Sequence, residues 1–416
     1  MSRSRLDAAR LKLLEACRNE KFTNPAVHTV TFQPLGPTKN ADRMAIERWD
    51  ILGQRWLCLA VCDGHVGCST SDYTVKTLPG RLKRVLERLV REHYGGRLDR
   101  QNYKAAEPVI INMLFDEIVN FDLSLADAIR DICPYPGEYT EQQARKLIQD
   151  NLEVVERAFQ GTTLSMAIVN LDHHFMWAAG VGDSTIALST VDSTGERQAE
   201  RLCELHTLNN RHEFYRVVMS HSAFEGKIVD RDTNKILGWL GMSRAIGDLP
   251  LKMHSAYMRY LFQFLPDHGN ISRFVDRVVS PPYVIAEPSV RFVDLEPVWG
   301  ADPILVLHSD GVDSLVEGSV VFSPDVPRKI DPLDVIPSFL PNERFDPRVE
   351  TLLEHSVEPQ WSRDERNMAI DILGNLLGGT NAERLEMVMD KRRLLAKDSS
   401  FLIDDVTIIV ARLVES

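Results

Sequence analysis

Two kinds of hydrophobic spacing run along the chain. Short apolar runs rich in β-branched and aromatic residues read as strands, and stretches with apolar residues three and four apart read as helices. The run Trp56-Leu57-Cys58-Leu59-Ala60-Val61-Cys62 is a buried strand that stops abruptly at Asp63-Gly64-His65. Upstream, Thr29 to Phe32 is a short strand, Gln33 to Asn40 a turn-rich segment, and a second strand ends near Trp49. Asp50 to Gln54 then reads as a hairpin loop, which would bring Asp42 and Asp63 together from neighbouring strands. Helical spacing follows over 73–95, 107–129 and, after the break at Cys133-Pro134-Tyr135-Pro136-Gly137, over 140–159. These are packing helices without chemistry of their own.

From Gly161 the period becomes strand-like. Gly161 to Val169, Phe175 to Ala179 and Thr185 to Val191 are strands, joined by the Asp172-His173-His174 turn and by Val181-Gly182-Asp183-Ser184. A loop with a short helix (205–216), a glycine-bearing stretch (224–242) and a polar, helix-prone stretch (249–280) come next. Strands resume at Tyr283–Ala286, Val290–Leu295 and Pro303–His308, the last again ending in an acid and a glycine, Asp310-Gly311. Residues 318–348 hold six prolines and read as a surface insertion. Helices at 363–378 and 381–396 precede a final strand, Val406 to Leu413, introduced by Asp404-Asp405. Strands and helices do not alternate one for one, so the expected class is α+β, antiparallel sheets with helices packed on them.

Composition narrows the picture. The chain has 416 residues, 44% hydrophobic and 26% charged, enough to bury a sizeable core. With 48 basic against 60 acidic residues the net charge is −12, and no basic stripe appears, so a nucleic-acid partner is not expected. No apolar run reaches membrane-spanning length, so no membrane partner is expected either. The six cysteines lack metal-finger spacing and read as reduced, buried thiols of an intracellular protein. Arg3, Arg5 and Arg10 give the N-terminus a transit-peptide flavour, but Asp7, Glu15 and Glu20 favour a plain surface helix. The expected layout is an N-terminal extension over 1–28 and one domain over 29–414. The expected compartment is the cytoplasm, with the mitochondrion as the alternative, and the expected state is a monomer.

The acids carry the chemistry. Asp63, Asp310 and Asp404 each mark the junction of an apolar strand with a loop, and Asp42 and Asp183 sit in similar turns. Clustered oxygen ligands without paired cysteines or histidines suit hard cations such as Mg²⁺ or Mn²⁺. Two such ions sharing a carboxylate orient and acidify a water for attack on phosphorus. The adjacent His173-His174 pair points apart from a turn and reads as loop histidines.

With these motifs in order, the chain resembles the metal-dependent serine/threonine phosphatases of the PP2C type, from about residue 29 to 413. The resemblance rests on Val61 to Gly67, Gly161-Thr162-Thr163, Gly180 to Ser184, Ser243 to Asp248, Ala286-Glu287-Pro288, Ser309-Asp310-Gly311 and Asp404 to Thr407. Asp42-Arg43, Gly67-Cys68, Pro281-Pro282-Tyr283 and the helix before Asp404 look most like the pyruvate dehydrogenase phosphatase branch. The resemblance implies a four-layer α-β-β-α sandwich. It also implies that Asp63 bridges two metal ions, that the Gly64 carbonyl helps hold one, and that Asp310 and Asp404 complete the other. Asp183 would touch an outer third ion, Asp42 would position the water, and His65 would protonate the leaving serine or threonine oxygen of a phosphoprotein. Ser243, Arg244 and Asp248 read as scaffold, the arginine as a structural salt bridge.

Three positions depart from the family pattern. Ala41 stands where a glutamate is usual, which weakens the second metal unless water or Glu47 substitutes. Pro37 stands where a phosphate-binding arginine is usual, with Lys39 the nearby cation. Asp310-Gly311-Val312-Asp313 lacks the usual tryptophan. Retention of Asp42, Asp63, His65, Asp310 and Asp404 favours an active Mg²⁺/Mn²⁺-dependent phosphatase. Ala41 favours the alternative, a catalytically weakened relative that binds or regulates a phosphoprotein.

Overall fold

A strand with one wet face alternates polar and apolar residues, whereas a strand buried on both faces does not. In the computed structural model, which describes residues 2–36, 40–222, 225–266, 271–318, 329–342, 344–396 and 403–414, this decides the architecture. Along Gln54–Cys62, the side chains of Leu57, Leu59 and Val61 enter one core while Trp56, Cys58, Ala60 and Cys62 enter another. Ile304–His308 and Val406–Arg412 divide likewise. Leu305, Leu307, Ile409 and Ala411 join the core of Leu57, and Ile304, Val306, Ile408 and Val410 line a third. Two sheets therefore lie face to face over a shared core, each with helices on its outer side. The fold is α+β.

One sheet has six antiparallel strands, ordered Cys17–Phe22, Ala26–Phe32, Val406–Arg412, Ile304–His308, Thr185–Val191 and Arg197–Arg201. The other has five, ordered Ser289–Asp294, Phe175–Val181, Leu164–Asn170, Gln54–Cys62 and Arg43–Ile51. Helices Ser69–His93 and Tyr103–Ile132 cover the second sheet, and Met368–Leu377 and Ser2–Ala16 cover the first. The expected hairpin forms, with Leu52 and Gly53 both left-handed (φ 55° and 81°), as a two-residue turn between twisted strands demands.

Several expectations need correction. The helix read over 140–159 is two, Glu141–Asp150 and Leu152–Phe159, meeting at Asn151. Where it is described, the stretch 249–280 folds as short turns and helices that bury Leu249, Leu251, Met258, Leu261 and Phe262, so its polar composition does not keep it out of the core. Tyr283–Ala286 is not a strand; Ile285 makes one isolated bridge to Arg244. Residues 2–28 are not an appendage: Ala9 and Leu13 are buried in the core beneath the six-stranded sheet, and Cys17–Phe22 pairs with Ala26–Phe32.

The proline-rich stretch 318–348 is no surface insertion where it is described. Pro332 and Pro337 sit in short 3₁₀ turns, and the residues between and after them, Val335, Ile336, Phe339 and Leu340, are buried. Proline there shapes the turn without keeping its neighbours from the core. Ile336→Ala is expected to destabilise the protein by about 2–5 kcal/mol, read by urea denaturation. A loss as small as that of a surface substitution would contradict this packing.

Candidate metal centre

The strand registers collect the acids. Arg43 lies opposite Cys62, so Asp42 enters and Asp63 leaves the hairpin at one end. Val61 pairs with Ser165 and Leu164 with Val181, which brings Thr163 and the Gly182-Asp183 turn to that same end. In the other sheet His308 pairs with Thr185 and Ile408, placing Asp310 and Asp404 just beyond it. The turn holding Asp183 links a strand of each sheet.

The glycine- and threonine-bearing motifs act as braces. The Asp63 carbonyl accepts from the Thr163 N–H and from the Thr162 hydroxyl, each at 2.9 Å, and the Asp63 N–H donates to Thr163 Oγ1 at 3.1 Å. Gly64 has no room for a side chain, since a Cβ there would lie 2.6 Å from both the Ala41 carbonyl and Ser71 Oγ. Ser309 Oγ donates to Asp42 Oδ2 at 2.7 Å and accepts the Thr407 N–H at 2.9 Å. Asp405 Oδ2 accepts the Ala41 N–H at 2.6 Å, while its Oδ1 accepts from the Gln33 side chain at 2.6 Å.

Electrostatics follow from this crowding. Burial pushes the Asp42 carboxyl up to about 7, Asp405 and Asp310 add to it, and the Ser309 hydrogen bond opposes. Asp183 is likewise pushed up to about 7, by burial and then by Asp310. Asp63 rises well above the usual carboxylate range through burial, the charges of Asp42 and Asp310, and a hydrogen bond to Asp310. Asp404 has the most open surface of the set, yet partial loss of water and then Asp310 raise it to about 6. The Oδ1 atoms of Asp42 and Asp183 are buried without a hydrogen-bond partner. Among the described residues no three histidine, cysteine, aspartate or glutamate side chains already surround one point as in a filled metal site. The all-oxygen donor set, the mutual repulsion and the two orphaned oxygens nevertheless fit a hard divalent cation.

His65 stands beside the cluster on a small sheet of its own. Its strand, Gly64–His65, pairs with Gly161–Thr162, which pairs with Ile246–Gly247. His65 Nε2 lies 2.7 Å from Asp248 Oδ2, and the two side chains meet over Gly161. A Cβ on Gly161 would fall 2.1 Å from Nε2 and 2.2 Å from Oδ2, so only glycine permits the contact. Burial lowers the imidazole, but the charge and hydrogen bond of Asp248, joined by Asp183 and Asp310, outweigh it and raise His65 overall. Its Nδ1 has no partner among the described residues.

Asp42, Asp63, Gly64, His65, Asp183 and Asp310 are thus brought together, with Asp404 at the rim. Glu47 is not: its Oε2 accepts the Trp49 indole N–H at 2.6 Å, and it sits opposite Cys58, well inside the sheet. Pro37 and Lys39 lie outside the described residues. Arg244 is held by Glu213 Oε1 at 2.5 Å. His173 and His174 make separate contacts, the latter stacking on Trp299. Sequence reasoning underrated Asp248 and passed over Asp405. The motif that contains Asp248 was visible, but its pairing with a histidine 183 positions away was not.

Comparison with known proteins bears on the fold and on the family the chain resembles. Residues 135–321 match the family model described as Protein phosphatase 2C. That stretch holds Gly161 to Thr163, Asp183, Asp248 and Asp310; Asp42, Asp63 and His65 precede it and Asp404 follows. The chain is 31% identical over 167 residues to human pyruvate dehydrogenase (acetyl-transferring) phosphatase 1, mitochondrial, covering 39% of this chain and 30% of that protein. It is 28% identical over 265 residues to the probable protein phosphatase 2C 40 of Arabidopsis thaliana, covering 62% of this chain and 48% of that one. The matches thus span less than half the length of these relatives. The crystal structure of a serine-threonine phosphatase 2C from Toxoplasma gondii superposes with a TM-score of 0.52 at 15% identity, covering 95% of this chain and 98% of that one, which places the fold. Over residues 135–321 the chain is thus similar to the PP2C phosphatases, and its curated relatives include the pyruvate dehydrogenase phosphatases.

An acid whose pKa is raised by folding keeps a proton that the unfolded chain has released, so stability falls as pH rises from the unfolded value to the folded one. For Asp183 that window runs from 3.8 to about 7. In chelator, Asp183→Asn is expected to melt higher than the wild type near pH 8, with the gain vanishing near pH 4. Calorimetry at both pH values checks this; an equal difference at the two would contradict it.

Proposed function

We propose that the chain is a metal-dependent phosphatase that removes phosphate from serine or threonine in proteins. The observation that carries the reading is the gathering of Asp42, Asp63, Asp183 and Asp310 at one end of the two sheets, with the Asp248-held His65 beside them. Asp63, the Gly64 carbonyl, Asp310 and Asp404 would hold two ions of Mg²⁺ or Mn²⁺, and Asp183 an outer one. Such an ion, when bound, neutralises phosphate charge and acidifies water.

The remaining work belongs to the chain. Asp42, anchored through Oδ2 by Ser309, has Oδ1 free to orient the attacking water. His65 engages Asp248 through Nε2, so Nδ1 is the atom left to give a proton to the departing serine or threonine oxygen. Asp248 keeps the imidazole oriented and favours its charged form. The substrate is a phosphoprotein and the chain is read as a monomer. Among the described residues no helix is long and apolar enough to cross a membrane. Of the two compartments expected, the names of the animal relatives support the mitochondrion.

A second reading, a weakened relative that binds rather than hydrolyses, is favoured by one observation. Ala41 offers no ligand, its N–H is taken by Asp405 and its carbonyl by Ser71, and Glu47 is tied to Trp49.

A phosphothreonine peptide offered with Mn²⁺, with Mg²⁺ and with chelator decides between the two. Release of phosphate that chelator abolishes is expected, and Asp63→Asn is expected to eliminate it. No release at millimolar metal sinks the first reading. Ala41→Glu is expected to tighten Mn²⁺ binding in a direct titration. Unchanged binding would mean that position 41 does not limit the second ion.

A further inference from the structure

The helix Tyr103–Ile132 packs on the five-stranded sheet with Ile118, Phe121 and Leu125 buried, yet it also buries Asp122. That carboxylate meets Lys252: both its oxygens lie 2.8 Å from Nζ. A buried ion pair contributes little that apolar residues of the same size would not, so stability alone does not account for it. Its other contacts do. Asp122 Oδ1 accepts the Gly247 N–H at 2.7 Å, and Lys252 Nζ donates to the Ala245 carbonyl at 2.6 Å. The pair therefore clamps both ends of the segment that leads into Asp248.

That segment needs clamping. Gly247 is left-handed (φ 83°), with its Cβ position 2.3 Å from the Gln160 carbonyl, and Asp248 itself is left-handed (φ 50°). A non-glycine residue adopts that conformation uncommonly, aspartate more readily than most, and neighbouring contacts hold it there. Only from there does Asp248 reach across Gly161 to His65 Nε2. We propose that the buried Asp122–Lys252 pair is a positioning device: it pins the Gly247 N–H, sets the turn at Asp248, and through Asp248 orients His65 as proton donor to the leaving oxygen. This rests on the phosphatase reading.

A proton donor matters for an alkoxide leaving group and hardly at all for p-nitrophenolate, which departs as a stable anion. The test compares turnover of a phosphothreonine peptide with that of p-nitrophenyl phosphate, both in Mn²⁺. Two double variants leave no buried charge unpaired. Asp122→Asn with Lys252→Met keeps an oxygen for the Gly247 N–H, and Asp122→Leu with Lys252→Met removes it. The leucine pair is expected to lower the peptide-to-nitrophenyl kcat ratio about tenfold or more, with the peptide KM moved much less, while the asparagine pair retains most of the ratio. If the leucine pair does not fold, Asp122→Ala with Lys252→Met carries the same contrast. A wild-type ratio in the variant without the acceptor, or an equal loss on both substrates, overturns the proposal alone. A wild type inactive on both substrates overturns the phosphatase reading with it.

Discussion

Mutual repulsion among carboxylates is the constraint on which the rest depends. Two unit charges 4 Å apart at an effective dielectric of 20 cost about 4 kcal/mol, and here several acids meet where two sheets end. The hydrogen bond from Ser309 to Asp42 is worth about 1.5–3 kcal/mol and does not cancel that repulsion. The result is visible in the raised pKa values of Asp42, Asp63 and Asp183. Such a site holds either protons or a cation. The braces around it make sense in that light: Thr162 and Thr163 on the Asp63 backbone, the bare Gly64, and Ser309 between Asp42 and Thr407 keep the acids from moving apart.

The same economy appears in how the second arm is built. His65 and Asp248 come from opposite edges of a three-stranded sheet, and the middle strand supplies a glycine where their side chains cross. Beside the cluster the Ala41 backbone is locked, its N–H held by Asp405 and its carbonyl by Ser71, so this edge of the site is firm although the Ala41 side chain offers no oxygen.

Much of the framework was legible in the residues because both faces of the central strands are buried, which leaves unbroken apolar runs such as Trp56 to Cys62 and Ile304 to Leu307. Acids that end such runs stand out, so Asp63 and Asp310 were readable. Asp404 was singled out, but its neighbour Asp405 is the one tied into the network through Gln33 and Ala41; adjacent acids cannot be ranked without the register. Asp122 and Lys252 were illegible for a different reason. A single acid in an amphipathic helix looks solvated, and only tertiary contact reveals its partner. The prolines at 332 and 337 misled in the opposite direction, since turn-forming residues say nothing about whether the turn is buried.

The raised carboxyls of Asp42, Asp63 and Asp183 keep protons that a divalent cation would displace. Calorimetric titration with Mn²⁺ near pH 6, repeated in buffers of different ionisation enthalpy, measures that displacement directly. Saturable binding with release of protons is expected, and Asp63→Asn should lose that release. Binding without proton release, or no binding by the wild-type protein, would overturn this reading of the cluster.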